Sequence, residues 1–236
     1  MTNPEFNSEF DILYDNLASK SAPGVNKFEK SVFLTKAQEE IVKELYQQFE
    51  FGENQRKDLA QIVLSHSTSV STTNAAGISP YSKFFVIPTD TWYIINERVT
   101  ISAPGECFDG ETITVKPITH DEYNVSILNP FRKPDRNKAW RLDVSLGGGS
   151  KTVEIISKYT PTSYQMRYIK KPLPIILTDL SVDYPGYTIE GLTSQTECQL
   201  TTELHRNILN RAVEHAIGSY RENSLQAKVE LNKRSV

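Results

Sequence analysis

The chain has 236 residues and a formal net charge of −3, from 26 basic and 29 acidic side chains. A chain of this length can bury roughly 70–75% of its unfolded surface without disulfides, and so even a charge balance leaves no overall basic field to gather nucleic acid or anionic lipid. The two cysteines, Cys107 and Cys198, have no metal-ligand spacing, and no leader-like start or long apolar run is present, so the expectation is a soluble protein made inside a reducing cell, with no membrane partner.

The first third has helical period. Phe6, Phe10, Leu13, Tyr14 and Leu17 share a stripe of about 100°, and Pro23-Gly24 stops the element. In TKAQEEIVKELYQQF, Thr35 and Gln38 have capping-box spacing and predict a helix start. Ala37, Ile41, Val42, Leu45, Tyr46 and Phe49 then span about 180°, and Glu39 with Lys43 adds an i,i+4 pair. A short helical piece near RKDLAQIVL leads into SHSTSVSTTNAAGISP. That stretch is too polar to offset its ordering entropy, which predicts a flexible loop from Ser65 to Ser79 that orders on assembly.

The middle changes to a period of two. KFFVIP, TWYIINERVTIS, ETITVKPI, YNVSIL and SYQMRYI read as strands, and AWRLDVSL, with Trp140, Leu142, Val144 and Leu146 on one side, forms a hairpin with TVEIIS across GGGSK. The spacing predicts an antiparallel sandwich or barrel. The prolines of KKPLPIIL forbid a central strand, so that segment runs along an edge or leaves the sheet. DYPGY is a turn, and the tail from Glu222 onward is polar.

The C-terminal stretch ECQLTTELHRNILNRAVEHAIGSY predicts a helix on which Leu204, Ile208, Leu209, Ala212, Val213, Ala216, Ile217 and Tyr220 cover roughly 220° of the circumference. An arc that broad predicts packing on two sides. The fold class expected is therefore α+β, with N- and C-terminal helices forming a helical part around a central antiparallel β-rich insertion. Its divisions are an N-terminal helical part at 1–64, the loop at 65–80, a β-rich domain at 81–178, a C-terminal turn and helix at 179–221, and a polar tail at 222–236.

Reactive side chains are scattered. Gly147-Gly148-Gly149-Ser150-Lys151-Thr152 lacks the earlier glycine and following helix of a phosphate loop and reads as a hairpin loop. His120-Asp121-Glu122 reads as a solvated turn, Asp109 and Glu111 as turn residues, and His66 has no nucleophile near it. His205 and His215 lie in or beside the apolar arc and read as packed, hydrogen-bonded residues, and the Asn124-Val125-Ser126 sequon is expected to stay unmodified. Arg167, Lys170 and Lys171 stand beside Tyr164 and Tyr168. Cations among aromatics suit single-stranded nucleic acid, but three of them on an acidic chain favour protein contact.

DILYDNLASKSAPGVNKFEKSVFLTKAQEEIVKELY is similar to the opening of small structural proteins of crAss-like bacteriophages. RYIKKPLPII followed by ECQLTTELHRNILNRAVEHAIG resembles the closing segment of the same group, and more loosely the tail tubular protein A and adaptor class of short-tailed phages. The resemblance implies a non-enzymatic neck protein of the virion, assembled in the host cytoplasm and lacking cofactor or metal. It also implies a ring, usually of twelve copies, that joins portal and other ring proteins to the tail while packaged DNA passes without specific binding. Phe10, Leu13, Ile41, Leu45, Leu204, Ile208, Val213 and Ile217 are then candidates for subunit interface or helical packing, and Arg167, Lys170 and Lys171 for contact with the next ring or the portal. Two alternatives remain: a carbohydrate- or receptor-binding β-sandwich on a tail fibre, trimeric with an aromatic platform near Trp92 or Trp140, and a tail hydrolase using Asp109, Glu111 or His120.

Overall fold

The structure, a computed structural model, describes residues 1–17, 24–48, 53–70, 77–144 and 150–220. Expectations for Pro23, Phe49, part of the Ser/Thr stretch (71–76), the glycine loop at 147–149 with Ser145 and Leu146, the Tyr220 side chain and the tail fall outside the described residues. In chain order the elements are helices α1 (Asn3–Leu17), α2 (Lys27–Gln47) and α3 (Glu53–Leu59), and a 3-10 turn (Ala60–Ile62). Strands β1 (Val63–Ser69), β2 (Lys83–Ile87), β3 (Thr91–Ser102) and β4 (Thr112–Pro117) follow, then helix α4 (His120–Ser126). Strands β5 (Lys138–Val144), β6 (Lys151–Ile156) and β7 (Thr160–Lys170) and helices α5 (Leu180–Asp183) and α6 (Thr202–Tyr220) complete the fold. The chain forms two compact units, Met1–Ile62 with Pro172–Val236, and Val63–Lys171.

The first unit is helical. α2 starts eight residues before Thr35, because Asn26 and Glu29 form the capping box: the Asn26 side chain accepts from Glu29 N, and the Glu29 carboxylate accepts from Asn26 N. Thr35 and Gln38 sit in mid-helix and do something else. Ser31 Oγ accepts from Leu177 N (3.0 Å), Thr35 Oγ1 accepts from Ile175 N (3.1 Å), and Gln38 Nε2 donates to Leu173 O (2.9 Å). Both hydroxyls also donate to the carbonyl one turn back, at 2.8 Å. Three side chains one helical turn apart thus stand in for a neighbouring strand, and the extended KKPLPIIL segment leaves the sheet to run along them. On its other edge Ile176 bridges Thr196, and Asn3 Nδ2 donates to both of their carbonyls.

α6 begins at Thr202, five residues later than Glu197, and it packs against both α1 and α2. Its Leu204, Ile208, Leu209, Ala212, Val213 and Ala216 are buried, together with Phe6, Phe10 and Tyr14 of α1 and Leu34, Ala37, Ile41 and Val42 of α2. Ile189 and Leu192 close a two-residue hairpin in which Glu190 (φ 51°) and Gly191 (φ 80°) both take the left-handed backbone such a turn demands.

The second unit is a nearly closed, barrel-like sheet in the order β1-β7-β3-β4-β5-β6-β2. Phe85, Val99, Ile101, Ile113, Val153, Ile155, Tyr164 and Met166 fill it, and Ile118, Tyr123, Trp140, Leu142 and Ile156 form a smaller cluster. The pairing is antiparallel except for β4 with β5, which are parallel. The cause is the crossover between them: YNVSIL, expected as a strand, is mostly helix α4. Thr119 caps it by accepting from Glu122 N (3.2 Å), and Tyr123 and Ser126, one turn apart, face inward. A parallel pair needs such a crossover. Residues 65–69, expected to be loop, form β1, with Ser65 opposite Arg167 and Ser69 opposite Ser163; the backbone ladder orders them although their side chains bury little.

Inside the second unit Arg141 donates to Glu97 (2.7 Å), Tyr164 Oη donates to the other Glu97 oxygen (2.7 Å), and Arg141 Nε lies 3.2 Å from Asp143. Burial pushes the Glu97 carboxyl above the usual carboxylate range while Arg141 pulls it back, and burial beside Glu97 raises the Tyr164 hydroxyl.

Candidate assembly surfaces

The eight helical candidates all lie in the first unit. Phe10, Ile41, Leu204, Ile208 and Val213 are buried there, while Leu13, Leu45 and Ile217 are half-buried. The wide arc of α6 is covered by two helices of its own subunit, so its breadth no longer calls for a neighbouring copy. Ile41, Leu45 and Leu204 also line a groove of about 190 Å³ beside Glu44 and Arg211, which are joined at 2.6 Å.

Arg167, Lys170 and Lys171 are not gathered on one face. Arg167 is exposed, set between Ser65 and Asn96 across the three strands β1, β7 and β3. Lys170 lies three positions on, where strand alternation sends side chains to the opposite face, and Lys171 N donates to Asp90 O after the strand ends (2.8 Å). Arg167 lines an open depression of about 400 Å³ with Ser65, Ser67, Asn96, Arg98 and Gln165.

The groups an enzyme would need are apart and engaged locally. Asp109 accepts from Ala103 N (2.6 Å), Glu111 pairs with Arg136 (3.2 Å), and His120 opens α4 with Nε2 3.4 Å from Asp143 O. Among the described residues no group of three His, Cys, Asp or Glu could hold a metal, and no helix is long and apolar enough to cross a membrane. Trp140 is 2% exposed, and half-buried Trp92 stacks on Tyr93 at 5.2 Å.

Sequence reading missed two surfaces. One is a depression of about 610 Å³ in the first unit whose walls carry Glu5, Asp58, Glu197 and Glu203. The other is the outward side of the α4 region, where Val125, Leu128 and Phe131 are exposed. Val125 and Leu128 had counted toward a strand, and Phe131 had drawn no reading; only the helical spacing of Val125 and Leu128 and the Asn129-Pro130 turn could have shown them facing out.

Compared with known proteins, the chain matches the family model for phage tail ring protein 3/4 over residues 1–228. It is 37% identical over 243 aligned positions to Ring protein 4/5 of Bacteroides phage crAss001, covering 98% of each chain. To Ring protein 3 of the same phage it is 38% identical over 227 positions, covering 92% of this chain and 95% of that one.

Proposed function

The chain belongs to the phage tail ring protein 3/4 family, and on that premise we propose that it is a ring-forming, non-enzymatic subunit of the virion neck that joins the portal to the tail and surrounds the DNA channel. The observation that carries this reading is near-complete coverage, in both directions, by two proteins named as ring proteins. Their origin in one phage supports a subunit design used in more than one ring. The ring has twelve copies in this reading, is assembled in the host cytoplasm, and stacks on the portal or on other ring proteins. DNA crosses it without specific contacts.

The helical unit is the stiff frame of each subunit, with Phe10, Ile41, Leu204, Ile208 and Val213 as its packing and the half-buried Leu13, Leu45 and Ile217 at its margin. Of the three basic candidates, exposed Arg167 serves contact with the next ring or the portal, Lys170 and Lys171 lying off its face. Cryo-microscopy of intact particles, or native mass measurement of the assembly, tests the reading. A closed ring at the neck is expected; a fibre-borne trimer, or particles lacking the chain, would sink it.

A further inference from the structure

Three of the four most exposed large apolar side chains among the described residues fall within seven positions: Val125 (70%), Leu128 (84%) and Phe131 (88%). The backbone of the Phe131 turn is held in place. Asn129 Oδ1 accepts from Phe131 N (3.0 Å), Asn129 O accepts from Arg132 N and Lys133 N (3.1 and 3.0 Å), and Lys138 Nζ donates to Phe131 O (3.0 Å). Pro130 at the second position of this turn fixes its backbone further. Arg136 and Lys138 are paired with Glu111 and Asp135 (3.2 and 3.3 Å), whereas Arg132 and Lys133 have no ion pair among the described residues. An exposed aromatic on a hydrogen-bonded turn, beside two cations without an ion pair among the described residues, has the make-up of an interface anchor.

A closed ring of identical subunits needs two unlike patches per copy that fit each other. Of the three depressions described, one is lined by Arg98 and Arg167, and the smallest has its Glu44 already bonded to Arg211. The third, of about 610 Å³, offers Glu5, Asp58, Glu197 and Glu203 around buried Leu200 and His205, and its Lys57 is paired with Glu53 at 3.0 Å. Thr201, also in its lining, has a buried Oγ1 with no hydrogen-bond partner among the described residues. The Met1 ammonium in the same lining is taken up by His205 Nδ1 at 2.6 Å, so size and an excess of carboxylates coincide there.

We propose that Phe131 anchors the contact between adjacent copies in the ring, its turn entering the acidic depression of the next subunit while Arg132 and Lys133 meet the carboxylates at its wall. This rests on the ring reading. The test treats intact particles with a carbodiimide, which joins lysines to touching carboxylates, and maps the linked peptides. Covalent dimers of this chain with Lys133 coupled to Glu197 or Glu203 are expected. Dimers linked only elsewhere, or Lys133 coupled to a different virion protein, would overturn the docking and leave the ring standing, whereas finding no chain-to-chain dimers would defeat both. A charge exchange adds a readout independent of linking chemistry. Lys133→Glu and Glu203→Lys should each cut the assembled fraction at least tenfold without changing the thermal midpoint of the subunit, and the double variant should restore it. Undiminished assembly in the single variants, or no recovery in the double, would also overturn the docking.

Discussion

Thr35 Oγ1 accepts a hydrogen bond from Ile175 N at 3.1 Å although 140 positions separate the two residues. The Ile175 amide is buried, and with Pro172 and Pro174 beside it the segment cannot pair as a regular strand. Thr35→Val keeps the shape and removes the acceptor, so one buried donor is orphaned. The expected cost is about 1–3 kcal/mol in denaturant unfolding, with Thr35→Ser losing much less.

Arg141 faces Glu97 in a setting where the two side chains are 11% and 6% exposed. Arg141→Met strands the carboxylate, and the expected loss is about 3–5 kcal/mol. Combining it with Glu97→Leu should recover part of that loss, because neither charge then remains in the barrel, although the buried Tyr164 hydroxyl loses its acceptor. A double variant whose loss is the sum of the two single losses would show that the pair is not coupled.

Ile208 has no exposed surface and sits where α6 meets its own subunit's helices. Ile208→Asp therefore should not yield a soluble, assembly-defective monomer. A buried unpaired carboxylate costs enough that the helical unit should fail to fold, read as lost helical circular dichroism and insoluble expression.

Much of this architecture could be read from residue pattern. The helical period of α1 and α6 and the alternation of β2, β3, β5 and β7 come from side chains that must face one core. What escaped was set by distant partners or by short length. Thr35 and Gln38 have the composition of a cap, and only the segment at 173–177 reveals their use. α4 spans seven residues, too few to separate periods of 2 and 3.6. β1 is held by its backbone ladder with β7, which its serines and threonines do not announce. The breadth of the α6 arc pointed to an adjacent copy on one flank, whereas α1 and α2 of the same chain both pack on it, and nothing local distinguishes a helix of the same chain from one of the next. Phe131 drew no reading at all, since an apolar letter carries no sign of whether it faces in or out.

The two thiols differ in accessibility. Cys107 is exposed, while Cys198 donates to Gln38 Oε1 (3.3 Å) and burial pushes its thiol up to about 11. Under native conditions at neutral pH one thiol per chain should react quickly with a maleimide, mapped by mass spectrometry to Cys107. Cys198 should label only after denaturation; equal labelling of both would contradict the packing around α2.

His205 links acidity to the fold of the helical unit. Its Nε2 lies 3.0 Å from Leu200 O, which can only accept, so Nε2 carries the proton and Nδ1 is left to accept from the Met1 ammonium at 2.6 Å. A second proton on the ring would break that bond and set two cations together. Burial first, and the ammonium with it, holds the imidazole below its ordinary value of 6.5, against the opposing pull of Leu200 O and Glu5. Because the folded state resists the proton that the unfolded chain accepts, stability contributed by neutral His205 is complete above about pH 6.5 and is lost as pH falls from there through the depressed folded value. Unfolding free energy measured between about pH 7.5 and 5.5 should fall with acidity in the native chain. In His205→Gln, whose amide can still donate to Leu200 O, the fall should be much shallower; parallel pH profiles for the two proteins would show that the ring does not titrate in this window.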